Sequence, residues 1–188
     1  MKIIAFTGMP FSGKTEAVKI TSEKKINVVR MGDLVWDEVK KRSLELNDKN
    51  VGFIANQMRK LYGNNIWAIK TIEKIKLNNK SDLIVVDGIR NCEEVDIFKK
   101  NLDSDFTLIA IISEDELRYK RGLKRCREDD GYNIKVLKNR DKREIKWGIK
   151  KVIESADIIV TNDGNLKDFK KKILNIIDML LKNDKLIN

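Results

Sequence analysis

Gly8-Met9-Pro10-Phe11-Ser12-Gly13-Lys14-Thr15 is the stretch that decides the fold. It spells Gly, four residues, Gly-Lys-Thr, the pattern of a phosphate-binding loop. Its flanks suit that reading: Lys2-Ile3-Ile4-Ala5-Phe6 is a short apolar strand, and residues 16–24 read as a helix. Glycine permits backbone angles that turn several N–H groups inward around anionic phosphate oxygens. The helix that follows adds the positive end of its dipole and its unpaired N–H groups. Lys14 then reaches the β- and γ-phosphates, and the Thr15 hydroxyl ligates Mg2+. Gly8, Pro10, Phe11, Ser12, Gly13, Lys14, Thr15 and Glu16 are therefore the expected nucleotide contacts.

Outward from the loop, residues 26–30 form a second strand ending at Met31-Gly32-Asp33. Residues 34–77 are mostly helical, with turn signals near Asn47-Asp48 and Gly63-Asn64-Asn65. Leu83-Ile84-Val85-Val86 is a continuous apolar run, as expected of a parallel strand buried on both faces, and it ends in Asp87-Gly88. A helix over 93–101 leads to a strand over 106–112, and a basic helix over 114–125 is interrupted by Glu128-Asp129-Asp130-Gly131-Tyr132-Asn133. A helix over 140–154 precedes a fifth strand at 157–160. In the last helix Leu166, Phe169, Ile173, Ile176, Ile177, Leu180 and Leu181 recur at three and four residues, a core-facing stripe. Alternating strands and helices predict an α/β fold: a five-stranded parallel sheet with helices on both faces. Gly8, Asp33, Asp87 and Ser113 all follow strands, so they should converge on one rim, where such sheets bind ligands.

The chain has 188 residues, enough for a single domain over 1–188 with a good core, and its one proline lies inside the loop. The longest apolar run, residues 108–112, is far short of the roughly 20 residues that span a bilayer. Strand and loop begin at once, leaving no room for a signal peptide, and Cys92 and Cys126 make neither a disulfide framework nor a zinc spacing. A cytoplasmic protein is expected. The absence of histidine excludes imidazole metal sites and histidine acid–base chemistry. Net charge is +10, and residues 118–151 hold 14 Lys/Arg against 5 Asp/Glu. Such a block suits phosphate handling, with RNA contact as a secondary expectation and a solvated lysine face as the plain alternative.

Asp87, closing an apolar strand, is placed to hold a water on Mg2+. Phosphoryl transfer needs charge on the γ-phosphate neutralised away from water, work suited to arginines on a closing segment. Arg118, Arg121 and Arg125 share one helical face by spacing, while Arg127 and Arg140 flank the acidic break at Asp129-Asp130. A short helical lid over 114–140 would explain both the charge block and the break; ion pairs to nearby carboxylates are the alternative for each arginine.

These residues resemble the adenylate kinase and dephospho-CoA kinase branch of P-loop kinases. The chain is more closely similar to an archaeal adenylate-kinase-related family, over nearly its whole length. Gly8-Met9-Pro10-Phe11-Ser12-Gly13-Lys14 is similar to the adenylate kinase loop, Gly32-Asp33 to the start of its acceptor site, and Asp87-Gly88-Ile89-Arg90 to its Asp-Gly-x-Pro-Arg. Arg127-Glu128-Asp129-Asp130 with Arg140 resembles the end of its lid, and Ala156-Asp157 to Asn162-Asp163-Gly164 the segment whose backbone contacts adenine. The resemblance implies a nucleoside-monophosphate-kinase-like fold, ATP and Mg2+ as cofactors, a helical acceptor-binding region over 32–80, and Asn162 beside the nucleotide. It also implies that Gly32, Asp33, Arg59 and Arg90 serve the acceptor. The chain departs from the pattern at Phe11, a loop glycine in adenylate kinases, and at Trp36, where they carry an arginine that grips the acceptor phosphate. Proline is missing between Gly88 and Arg90, and the lid is short.

The expected function is a small-molecule kinase that moves the γ-phosphate of ATP to a nucleoside monophosphate or nucleotide-like acceptor. Two alternatives stay open: a hydroxyl acceptor, with Asp33 as the base rather than a helix cap, or an ATP-dependent switch or ATPase acting on RNA or a ribonucleoprotein.

Overall fold

The computed structural model describes residues 1–78, 81, 83–101, 105–125 and 133–183. Strand β1 (Lys2–Thr7) is buried along its whole length and sits at the middle of a five-stranded parallel sheet. Its neighbours are β3 (Leu83–Asp87) and β4 (Asp105–Ile112), and β2 (Asn27–Arg30) and β5 (Ile158–Thr161) form the edges, giving the order β2-β3-β1-β4-β5. Phe6 pairs in register with both Asp87 and Ile109, so the carboxyl ends of the central strands lie side by side.

Alternation along β1 divides the core. Ile4 and Phe6 pack with Ala17, Val18 and Ile20 of α1 (Lys14–Glu23) and with Phe169, Ile173 and Ile177 of α9 (Leu166–Asn183). Ile3 and Ala5 face the other way, toward α2 (Met31–Lys41), α3 (Asp48–Tyr62), α4 (Ile66–Asn78), α5 (Cys92–Asn101) and α8 (Ile149–Glu154). Helices α6 (Asp115–Arg125) and α7 (Ile134–Trp147) follow β4, in the stretch where a lid is expected. Asparagines start several of these helices: Asn47 Oδ1 accepts from Asn50 N, Asn133 Oδ1 from Val136 N, and Asn165 Oδ1 from Asp168 N. Each satisfies one of the N–H groups that a helix start leaves without a partner.

The expected five-stranded parallel sheet with helices on both faces is present, and four expected boundaries move. Helix α1 starts at Lys14, which puts Lys14 and Thr15 in its first turn. Helix α2 starts at Met31 with Arg30 as its cap residue, so Asp33 lies inside the first turn and does not cap. The helix expected over 140–154 is two helices, begun early by the Asn133 cap and divided at Gly148, whose φ of 106° ends α7. Leu166, counted in the core-facing stripe, is 52% exposed, while Phe169, Ile173, Ile177 and Leu180 are buried. Among the described residues, no helix is long and apolar enough to cross a membrane.

Candidate active site

The loop leaves β1 at the sheet's carboxyl rim and wraps the start of α1. Gly13 has φ 118°, and a Cβ there would lie 2.2 Å from Asn162 Nδ2, so both backbone and neighbour require glycine. Asn162 props the loop from behind: its Nδ2 donates to Ser12 O (2.8 Å) and its backbone N donates to Ile112 O (2.8 Å). Asn162, expected beside the adenine, is thus a strut under the loop and is not on the pocket wall. Lys14 Nζ donates to Gly8 O (2.5 Å) and Met9 O (2.9 Å). Burial, aided by the nearby Arg90 charge, pulls its ammonium down to about 7. A phosphate oxygen is a charged and stronger acceptor than either carbonyl, so Lys14 is set to exchange them for one.

Asp87 closes β3 on the same rim, and its Oδ1 is buried with no hydrogen-bond partner. Burying an unpartnered carboxylate oxygen is costly, which fits an oxygen set aside for hydrated Mg2+. Thr15, on the same pocket wall, is the second residue that would hold it. Among the described residues no group of three or more acidic or thiol side chains is placed to hold a metal ion.

Helices α6 and α7 lie directly on the loop. Phe11, at φ 63°, is buried with its ring against α6 at Gly122, where a Cβ would come within 3.1 Å of it. The Arg125 and Arg140 guanidiniums stand 4.8 and 5.5 Å from the ring centre. Arg121 donates to Ser113 Oγ (3.0 Å) and Asn162 O (2.7 Å). Arg121, Arg125 and Arg140 all line the pocket, and Arg118 does not. Only 1% exposed, Arg118 donates to Pro10 O (2.8 Å), Asp141 Oδ2 (2.6 Å) and Asp115 Oδ1 (2.6 Å). Burial pulls its pKa down, but hydrogen bonds to Asp141 and Asp115 hold it above the ordinary arginine range. Its chemistry is that of a strut between α6, α7 and the loop. Arg127, with Asp129 and Asp130, lies outside the described residues.

A pocket of about 460 Å³ runs from the loop to the helices after β2. Gly32, Asp33, Arg59 and Arg90 all line it, as do Glu16 and Trp36. Asp33 is half-buried; burial raises its carboxyl pKa, opposed by the Arg30 and Lys74 charges. Three of the four arginines on this side have carboxylate partners, and the fourth, Arg30, is exposed. Arg59 Nη2 donates to Glu94 Oε1 (2.8 Å), and its guanidinium lies 4.3 Å from the Trp147 ring centre. Arg90 Nε is 2.9 Å from Glu144 Oε2, and Arg143 grips both oxygens of Asp48 at 2.7 and 3.0 Å.

Glu144, Arg143, Trp147 and Glu94 escape a reading of the sequence. Glu144 is the hub: burial pushes its carboxyl pKa up, but Arg90, Arg140, Lys14 and Arg143 around it prevail and lower it. One signal is visible in hindsight. Arg140, Arg143, Glu144 and Trp147 are spaced three, four and seven residues from the first, so they share a face of α7.

Comparison with known proteins places this geometry. A family model described as an AAA domain matches residues 7–138. The chain is 44% identical over 182 residues to a UPF0200 protein of Methanosarcina barkeri, covering 97% of each. It is 45% identical to a UPF0200/UPF0201 protein of Archaeoglobus fulgidus and spans 57% of that protein's length. Among solved structures, the shikimate kinase of Acinetobacter baumannii in complex with shikimate superposes with a TM-score of 0.62 at 12% identity, over 97% of this chain and 94% of that one. That likeness extends to the fold: the P-loop kinase-like α/β architecture read from the loop and its strands.

Proposed function

We infer from one premise, that this chain belongs to the UPF0200 family and to the AAA domain family, that it is an ATP-dependent phosphotransferase acting on a small hydroxyl-bearing acceptor. The observation that carries this reading is the shared pocket: the loop lysine, the unpartnered Asp87 oxygen and half-buried Asp33 lie around one cavity beneath α6 and α7. Residues 1–188 act as a single unit in this reading, with 32–80 as the acceptor-binding region and 114–140 as the lid. The loop N–H groups and Lys14 hold the ATP phosphates, Glu16 lies beside them, and Arg121, Arg125 and Arg140 face the transferring group. Thr15 and Asp87 would hold Mg2+, which would supply neutralisation of phosphate charge.

The acceptor oxygen bonds to the γ-phosphorus as the bond to the β,γ-bridging oxygen breaks, and ADP leaves with that electron pair. The acceptor proton passes to Asp33. A carboxylate whose pKa is raised by burial is a better base than an exposed one. A monophosphate acceptor needs no base but does need spare cationic charge, and Arg59, Arg90 and Arg143 are each paired already, while Arg30 is exposed and its pull on a phosphate is screened by solvent. The pairing favours the hydroxyl acceptor over the monophosphate that the motifs alone suggest. Incubation with Mg-ATP and separate acceptors, with products resolved by chromatography, tests the reading. Acceptor-dependent ADP and a new phosphate ester support it; ADP formed equally without acceptor overturns it.

A second reading rests on the outer face of α7, where Lys135, Lys138, Lys142 and Lys146 are exposed at three- and four-residue spacing. That stripe suits RNA phosphates. Filter binding to single-stranded RNA across a salt series tests it: engagement of about four phosphates gives a log–log slope near −3, and a flat response removes it.

A further inference from the structure

The three tryptophans of the chain all line the pocket, and two of them are committed to the protein. Trp67 is 1% exposed and its Nε1 donates to Ala55 O (3.3 Å). Trp147 Nε1 donates to Asn56 Oδ1 (3.0 Å), and its ring carries Arg59 at 4.3 Å and Arg143 at 5.6 Å. Trp36 is half-buried in the wall and makes no hydrogen bond or cation contact with the described residues. One turn earlier on the same face of α2, Gly32 offers open space: a Cβ there would meet nothing within 4 Å. Asp33 stands three residues before Trp36, which puts their Cβ atoms about 5–6 Å apart.

We infer that the acceptor is a nucleoside, its heterocycle lying on Trp36 across Gly32 and its sugar hydroxyl turned to Asp33, with no phosphate of its own. The inference rests on the phosphotransferase reading above and names its substrate class. An aromatic ring with an open approach is a stacking platform for any base, because every base presents a π-face. The short span between Trp36 and Asp33 requires ring and hydroxyl to be joined by a compact saturated link, which a ribose supplies. The electrostatics agree. A phosphate dianion entering here has to compete with Glu94 for Arg59, Glu144 for Arg90 and Asp48 for Arg143, whereas a neutral nucleoside disturbs none of these pairs. Arg30, the other arginine on this side of the pocket, is exposed.

The test uses the whole protein with adenosine, guanosine, uridine and cytidine, their 5′-monophosphates, and glycerol as a ring-free alcohol. Two readouts are followed: tryptophan fluorescence on titration, and phosphate transfer from Mg-ATP. At least one nucleoside is expected to quench fluorescence and to bind more tightly than its monophosphate. The quench is lost in Trp36→Phe. Trp36→Leu raises the nucleoside KM about 10-fold or more, with kcat changed far less, and Trp36→Phe restores most of the KM. If no nucleoside quenches, if monophosphates bind better, or if Trp36→Leu leaves KM unchanged, the inference falls. Transfer to glycerol or a monophosphate, indifferent to Trp36→Leu, overturns the nucleoside and keeps the kinase. A Trp36-dependent quench without transfer from ATP keeps the nucleoside site and overturns the kinase.

Discussion

Lys14 and Glu144 show how single charged groups set the behaviour of this pocket. Burial and the Arg90 charge hold the Lys14 ammonium at about 7, well below the ordinary lysine value. Phosphate oxygens placed beside it favour the charged form and raise that pKa. Below pH 7 the ammonium is charged before and after binding, so ATP affinity is flat; above 7 binding must take up a proton, and affinity falls as pH rises toward the pKa of the complex. Calorimetry in buffers of different ionisation enthalpy should show proton uptake at pH 8 and much less at pH 6. Lys14→Ala should abolish turnover, and unchanged ATP consumption would remove the loop from the chemistry. Glu144 has the opposite sign. Its pKa is lowered by the surrounding cations, so its stabilisation is complete above the ordinary glutamate value of about 4.3 and is lost as pH falls through its own pKa. Glu144→Gln leaves Arg90 and Arg140 facing each other, and loss of a buried partner costs about 3 kcal/mol. Urea denaturation should give that loss at pH 7 and a smaller difference between variant and parent at pH 3.

At the scale of elements, Phe11 joins charged contacts in tying α6 and α7, the proposed lid, to the phosphate loop. The ring lies against α6 at Gly122 and faces arginines from both α6 and α7. Phe11→Leu keeps a buried apolar group but removes the π-face, and each lost cation–π contact is worth about 0.5–2 kcal/mol. We expect kcat to fall about 10-fold with ATP affinity changed less, as befits a residue that aims Arg125 and Arg140 without touching substrate; an unaltered kcat would show that the arginines aim themselves. The loop, the strands and the placement of Asp87 at a strand end were legible because each signal is local: a motif of eight residues or an apolar run. The role of Phe11 was not, since the residues around its ring come from helices more than 100 positions away. Arg118 misled for a related reason. Helical spacing placed it beside Arg121 and Arg125 and said nothing of Asp141, the carboxylate that takes it out of the pocket. The start of α7 was hidden too, because an acidic and glycine-containing stretch reads as a break while the Asn133 cap begins a helix seven residues before Arg140.

Across the whole molecule, α7 ties the proposed lid to the proposed acceptor region, and Asp48 is its charged anchor on α3. Asp48, in the first turn of α3, binds both nitrogens of the Arg143 fork and lies 3.8 Å from Arg140 Nε, so it ties α3 to α7 across 95 positions of sequence. Gly52, one turn further along α3, leaves room for that guanidinium: a Cβ there would stand 2.7 Å from it. The same α7 face carries Glu144 to Arg90 and Trp147 to Arg59, so the acceptor wall and the lid form one network above the sheet. By contrast, α1 and α9 pack on the opposite face of the sheet through apolar contacts. Asp48→Asn preserves shape and removes the charge, turning a bidentate charge-assisted pair into a weaker neutral contact. If the network holds the lid, amides of α7 should exchange with solvent about 10-fold faster in the variant, while those of α1 and α9 keep the parental rate, since local opening draws on local contacts. Uniform acceleration in all four helices α1, α3, α7 and α9 would mean that Asp48 supports the whole fold, and no change would mean that the other ties of α7, through Phe11, Arg118, Glu144 and Trp147, suffice without it. In the expected case a neutral acceptor fills the pocket with these pairs intact and α7 held in place, whereas a phosphate-bearing ligand that draws Arg59 or Arg143 from its partner would loosen α7 over the loop.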